Sequence, residues 1–331
     1  MKISELELSK LPMVMTSSGE AMMTFMNIIG SAKESLLRIL IQGEFSEYPD
    51  EQSMHSTARL ADMLSKFSDN LQAKPEDATE FLMDEIKVLE ECKCIGLPNF
   101  IPRSAFLAIL SQRVDGIHTK PVDFIKRIWE YVEDVISSVL TNHSDNFPQI
   151  QSSIKRAGRN LISKIKEQSV NRVIEIVEME KQTDYTCNPE YMTVYTQKIT
   201  NQGDFITNVQ RKCYFGYGNV NISHLWKYDA QLLRQAFDMN VRISAYWTIV
   251  VRRIVDNLAL YLQFTVKNLV NSQFQKEIVA EMVNPEGGGE VEKMLEESPS
   301  VAIKREKLKN SIKLLKESKD AVSAIVDRNS A

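Results

Sequence analysis

The residues best suited to chemistry in this chain do not fall into the spacings that chemistry needs. Thr119-Lys120-Pro121-Val122-Asp123 approaches the T/N-K-x-D pattern that reads a guanine base, but its aspartate comes one residue late. Pro121 also sits where the first turn of a helix is predicted, a place proline favours because its missing N–H has no helical partner there. No glycine is followed by lysine anywhere, which excludes the GxxxxGK[ST] loop whose backbone amides cradle phosphates. His55, His118, His143 and His224 are scattered, and none has a second His or Cys three or four residues away. Cys92-x-Cys94 is too closely spaced for a zinc knuckle, so these two, with Cys187 and Cys213, read as reduced thiols. No nucleophile elbow and no HExxH occurs, and Glu90/Glu91 and Glu296/Glu297 read as solvated charges at helix ends. The expectation is a chain with no catalytic, cofactor-binding or metal residues of its own.

What remains is a set of elements that would position contacts rather than reactants. The stretch from Asp238 to Val283 organises them. At helical spacing Ile243, Trp247, Val250, Ile254, Leu258, Leu262, Thr265 and Leu269 share one side, and Tyr246, Val251, Val255, Tyr261, Phe264 and Val266 widen it. No Gly or Pro interrupts this stretch. A helix so apolar around its girth requires partner helices on several sides.

The rest of the chain supplies them. Thr16 or Ser17 caps a helix carrying Met22, Phe25, Ile29, Leu36 and Leu40 that fades at Gly43. A weaker helix is predicted from Met54 to about Leu71, another from Pro75 to about Glu91, and a short one through Ala105, Ile109 and Val114. Pro121 opens a helix with Ile125, Ile128, Trp129, Val132, Val135 and Val139 inward, and a long one runs from Ile150 to about Lys181. Between 183 and 223 the helical period disappears and Tyr185, Tyr191, Tyr195, Tyr214 and Tyr217 cluster, which predicts a long loop; loops of that length are usually functional or disordered. NPEGGG at 284–289 is a hinge. Ser298 and Pro299 then open a terminal helix in which Val301, Leu308, Leu315 and Val322 recur every seven residues, the spacing of a seam for other helices. Its many lysines read as the solvated side.

Composition agrees with long helices. In 331 residues there are only 12 Gly and 10 Pro, too few for a turn-rich sheet protein. A net charge of −4 gives no electrostatic drive toward nucleic acid. The beginning, MKISELELSK, has no apolar core and does not read as a signal peptide, and the longest uncharged apolar run, Ile243 to Val251, is too short to span a bilayer. A cytoplasmic protein is expected.

Three stretches together resemble one family. KISELELSKLP resembles the start of the middle domain in dynamin-like large GTPases. LPNFIPRSAFLAILSQRVDGI is similar to a middle-domain segment of the Mx branch. MLEESPSVAIKREKLKNSIKLLKESKDAVSAI resembles the closing helix of the GTPase effector domain. The resemblance covers essentially the whole chain and is nearest to the plant dynamin-related proteins of the Mx-like type 4 group.

That resemblance implies an all-α fold: an elongated antiparallel four-helix stalk, with members at 16–43, 103–143, 150–182 and 226–283, and a terminal helix belonging to a partial signalling bundle. It implies a middle or stalk region at 1–225 and an effector domain at 226–331, divided into stalk helix 226–283, hinge 284–298 and terminal helix 299–327. Family members begin with a GTPase domain that carries the phosphate loop. None is present here, so the chain is expected to be a truncated member, acting through self-association or association with full-length relatives; the alternative is the family's GTP-hydrolysing activity itself. The loop at 183–223 occupies the place of a membrane-touching segment. There the resemblance implies a lipid contact through Lys198, Arg211, Lys212, Tyr214, Phe215 and Tyr217, and the loop is expected to be cationic, about +2 from Lys198, Arg211 and Lys212 against Asp204. The signalling-helix seam would be Val301, Leu308, Leu315 and Val322. An acidic membrane surface or microtubules are the implied partners, and no nucleic acid. Trp129, Trp226 and Trp247 are expected to add large surfaces for self-association.

Overall fold

The computed structural model describes residues 7–8, 17–72, 80–92, 100–217, 220–283, 291 and 299–329. The described residues are almost all helical: α1 (Ser18–Leu37), α2 (Ser56–Gln72), α3 (Met83–Glu91), α4 (Arg103–Asp115), α5 (Thr119–His143), α6 (Pro148–Gln182), α7 (Glu190–Ile199), α8 (Gln202–Gln210), α9 (Ala230–Asn268), α10 (Phe274–Val283) and α11 (Pro299–Asn329). The sheet among them is one antiparallel pair, β1 (Phe215–Tyr217) with β2 (Val220–Asn221), in which Phe215 faces Asn221 and Tyr217 faces Val220. The all-α expectation holds.

Two compact units form, each from several stretches of chain. The first comprises 1–59, 129–165 and 265–331; the second comprises 60–128 and 166–264. In the first unit, α1 buries Phe25, Ile29 and Leu36, the latter part of α5 buries Trp129, Val132, Ile136 and Val139, the early part of α6 buries Ile150, Ile154 and Ile162, and α10 buries Phe274 and Ile278. The residue pairs between helices show their directions. Thr141 pairs with Gln151 and Glu133 with Arg159, so α5 and α6 run antiparallel. Asn160 pairs with Glu281 and Lys164 with Glu277, so α6 and α10 do too. Gly158 lets α5 and α6 approach closely, since a Cβ there would lie 2.8 Å from Leu140 Cδ1.

Two helical stretches of this unit widen locally. α1 ends in a π-helical turn, Arg38–Gln42, closed by Gly43 at φ 73°, a left-handed conformation that glycine adopts without steric cost. A second π-helical turn, Leu269–Gln273, joins α9 to α10, and Lys33 on α1 donates to the Asn271 carbonyl within it at 3.1 Å. Such widened turns leave a carbonyl poorly matched along the helix, and the ammonium supplies a donor.

In the second unit the core is formed by Phe67 and Leu71 of α2, Ile86 of α3, Ile109 and Leu110 of α4, Phe124 and Ile125 of α5, Val173 and Ile176 of α6, and the inward stripe of α9 from Ile243 through Val250, Ile254 and Leu258. Phe67 stacks on Phe124 with ring centroids 4.2 Å apart. Ser169 with Tyr261 and Glu180 with Arg253 set α6 and α9 antiparallel.

Several expectations are corrected here. The helix predicted from Pro75 begins at Met83 instead; Leu82 before it lies at φ 65°, which no helix accommodates, and 73–79 lie outside the described residues. The stalk member at 103–143 consists of the two helices expected through Ala105–Val114 and from Pro121, parted at Gly116–His118, where Gly116 ends α4 and the His118 imidazole contacts the Asp115 carbonyl. Trp129 is fully buried, its indole N–H without a partner, and offers no outer surface. Phe264, expected on the apolar side of α9, points outward and is 69% exposed. The hinge at 284–298 lies outside the described residues apart from Val291.

Candidate interaction surfaces

The segment 183–223, expected as a loop, is built. α7 and α8 occupy much of it, followed by the β1–β2 pair. Two kinds of contact hold it. α7 is fastened to α9 by polar aromatic chemistry: the Tyr195 hydroxyl donates to Asp238 at 3.0 Å, Arg242 donates to the same carboxylate at 2.9 Å and lies over the Tyr195 ring, Tyr191 meets Tyr246 edge-on, and Glu190 pairs with Arg252. α8 is fastened by apolar burial of Phe205, Ile206 and Val209, with Phe205 stacked on Phe237 at 4.9 Å. Tyr191 and Tyr195, one turn apart, carry the contacts of α7 with α9, and none of its residues is fully buried, so an apolar period was not there to be read. The signals that could have found it are Asn188, whose side chain accepts the Glu190 N–H as a helix starts, and the Tyr191–Tyr195 spacing of one turn.

Just before α7, Asp184 and Tyr185 close a deeper network. Arg103 donates to both oxygens of Asp184. Arg253 reaches the nearly buried Glu180, the Tyr185 carbonyl and the Tyr246 hydroxyl, while Tyr246 also accepts the Tyr185 N–H. The bonds to Glu180 hold the Arg253 guanidinium well above the usual arginine range. A cleft of about 540 Å³ opens here, lined by Phe100, Arg103, Asp184, Asp238, Arg242 and Tyr246 among others. Each of its two carboxylates already answers one of its two arginines, so its charges support structure. On the opposite side of α9's first turns, Glu85 of α3 is buried beside Arg113 and accepts from Asn240 at 2.8 Å; burial pushes its carboxyl up.

The lipid-contact residues separate into two places. Lys198 is half-buried in the last turn of α7. Arg211, Lys212, Tyr214 and Phe215 form an exposed run after α8, with Tyr214 and Phe215 65% and 64% exposed. Lys212 adopts φ 54°, and the Cys213 N–H closes back on the Asn208 carbonyl, so α8 ends in a Schellman-type turn that projects this run away from the helix. The Tyr214 ring meets Trp226 edge-on, and Tyr217 belongs to β1. Over the whole of 183–223, Asp184 and Glu190 join Asp204 and cancel the three cations. Those two acids are held by Arg103 and Arg252, which leaves the charge of the 211–215 run uncompensated locally.

On α9 of the second unit, Leu260 and Phe264 stand one turn apart and are 65% and 69% exposed. In the first unit, the seam of α11 is graded: Val301 and Leu308 are half-buried and Leu315 is 43% exposed, while the buried residue is Ile312 between them; the side chain of Val322 lies outside the described residues. Ile303 and Leu314 are exposed on the same helix. Among the described residues no His, Cys, Asp and Glu gather as a metal site, and no helix is long and apolar enough to cross a membrane. Cys92, Cys187 and Cys213 are free thiols; Cys94 lies outside the described residues.

The family model of the dynamin central region matches residues 1–200, and that of the dynamin GTPase effector domain matches residues 231–325. The chain belongs to the dynamin family. It is 75% identical to Dynamin-related protein 4C of Arabidopsis thaliana over 331 residues, which is 98% of this chain and 50% of that relative. The chain thus spans about half the length of the curated relative it matches. In dynamin terms, α1 to α7 fall within the central region, and α9 to α11 within the effector domain, apart from Ala230 and residues 326–329. Both units draw on both regions, so neither family region corresponds to one compact unit.

Proposed function

We propose that these residues act as a helical self-assembly module, joining copies of the chain or full-length dynamin-like relatives through the stalk. The observation that carries this reading is the exposed Leu260–Phe264 pair on α9. Large apolar side chains set together on a helix surface cost hydration until a partner covers them, and such patches mark interaction sites. The middle-region and effector-domain boundaries expected near residue 225 belong to the same proposal. GTP binding is not proposed for these residues, because their sequence has no GxxxxGK[ST] loop. Sedimentation across concentration tests the reading: the chain forms dimers or larger species by tens of micromolar, and Phe264→Asp shifts it to monomer without loss of helix content. A wild-type chain that stays monomeric at that concentration overturns it.

The exposed 211–215 run supports a second contact, with an acidic membrane surface. Cations near such a surface gain about 1 kcal/mol each, and Tyr and Phe suit its interface. A Lys198, Arg211, Lys212→Ala triple variant sediments less with anionic vesicles than wild type. Undiminished sedimentation removes the run from this role, and binding to polymerised tubulin in place of vesicles assigns the cations to a microtubule surface.

A further inference from the structure

We propose that Lys309, Lys313 and Lys316 of α11 form a binding site for a multiply phosphorylated ligand of the inositol polyphosphate kind. The three line a cleft of about 330 Å³ in the first unit, together with Leu8, Ile312 and Glu317. Their spacing of i, i+4 and i+7 sets them along one ridge of the helix, spanning about 10 Å at 1.5 Å per residue. None of them has an ion-pair partner among the described residues, and Glu317, the acid on the cleft, neutralises none of them. Over 304–319 the helix carries seven cations against Glu306 and Glu317, so the field around the cleft is positive.

The cleft's shape and chemistry narrow the class of ligand. Its floor is apolar, made by Leu8 and by Ile312, which is 8% exposed. A carbocyclic ring bearing several phosphates offers C–H faces to that floor and anionic groups to three separate ammoniums at once. A lysine ammonium is a compact point charge with three donors, suited to phosphate, whereas planar bidentate recognition of a single carboxylate is the work of arginine. The volume lies at the small end of ligand sites, about 300–1,000 Å³. The site belongs to the first unit, whereas Leu260 and Phe264 belong to the second, so it stands independently of the self-assembly reading.

The full 331-residue chain is titrated with inositol hexakisphosphate by calorimetry, and with vesicles containing phosphatidylinositol 4,5-bisphosphate by sedimentation. Saturable binding is expected, weakened about a hundredfold in a K309Q/K313Q/K316Q variant, given about 1 kcal/mol per lysine and a factor of ten for each 1.4 kcal/mol. A K304Q/K307Q/K319Q variant removes the same charge from the same helix outside the cleft and retains most of the binding. Binding to vesicles alone assigns the site to a lipid headgroup, and binding to the soluble compound as well admits a free polyphosphate; either supports the proposal. It is overturned if neither probe binds saturably, or if the two triple variants lose binding equally, which would leave only diffuse attraction by a basic helix.

Discussion

Arg253 and Glu180 form a forked ion pair that ties α9 to α6 within the second unit, with Glu180 nearly buried and Arg253 one-third exposed. The guanidinium spends its remaining donors on the Tyr185 carbonyl and the Tyr246 hydroxyl. One residue thereby joins two long helices and the start of the segment that leads into α7.

Removing the carboxylate leaves the arginine without its partner. Breaking a fully buried pair costs about 3–5 kcal/mol; the partial exposure of Arg253 reduces this to about 2 kcal/mol for Glu180→Gln. The expected signature is local as well as global. Amide exchange accelerates through 183–199, and the denaturation midpoint falls. An unchanged midpoint together with unchanged exchange at 183–199 would show that the pair is incidental to the fold.

His143 gives the first unit a dependence on pH. Its imidazole shares a hydrogen bond of 2.9 Å with the Ser35 hydroxyl at the α1–α5 contact. Burial lowers its pKa below the ordinary value of 6.5, with Glu47 opposing and Arg38 adding to the shift. The folded state therefore binds protons less readily than the unfolded state. Stability from this group is fully present above the unfolded value near 6.5 and is lost as pH falls through that value toward the lower folded one. Glu85 titrates in the opposite sense, since burial raises its pKa above 4.5, so the difference between wild type and His143→Gln is the clean readout. That difference narrows as pH falls from 7.5 to 5.5. Parallel stability curves across this range would rule out the imidazole as the source.

The terminal helix should open most readily among the long helices. Most of its described side chains are exposed, and Ile312 is its one described residue that is buried. An amphipathic helix with so little tertiary packing is marginal in water, while α9 buries Val250, Ile254 and Leu258 completely. Hydrogen exchange at 301–315 is expected to run at least tenfold faster than at 243–262. Equal protection would mean that α11 has a covering partner in solution.

The sequence by itself determined the helical class, the absence of a phosphate loop and most of the core. Each of these follows from local information: scarce Gly and Pro, a 3.6-residue period in Ile, Leu and Val, and motifs with fixed spacing. The stripe from Ile243 through Ile254 to Leu258 was legible because a single face had to be buried, whatever partner buried it. The candidate contact residues were legible as types but not as a surface. Where the packing face was written in tyrosine, as with Tyr191 and Tyr195 of α7, no apolar period announced it, and the segment read as a loop. α7 persists because Asp238, Arg242 and Arg252, more than thirty residues along the chain, satisfy its polar groups. The side to which each apolar residue turned was likewise undecided. Trp129 and Phe264 both lie on amphipathic helices, yet one is wholly buried and the other 69% exposed. A helix with apolar residues on several faces offers more than its neighbours can cover, and only the packing of those neighbours selects which residue is left at the surface.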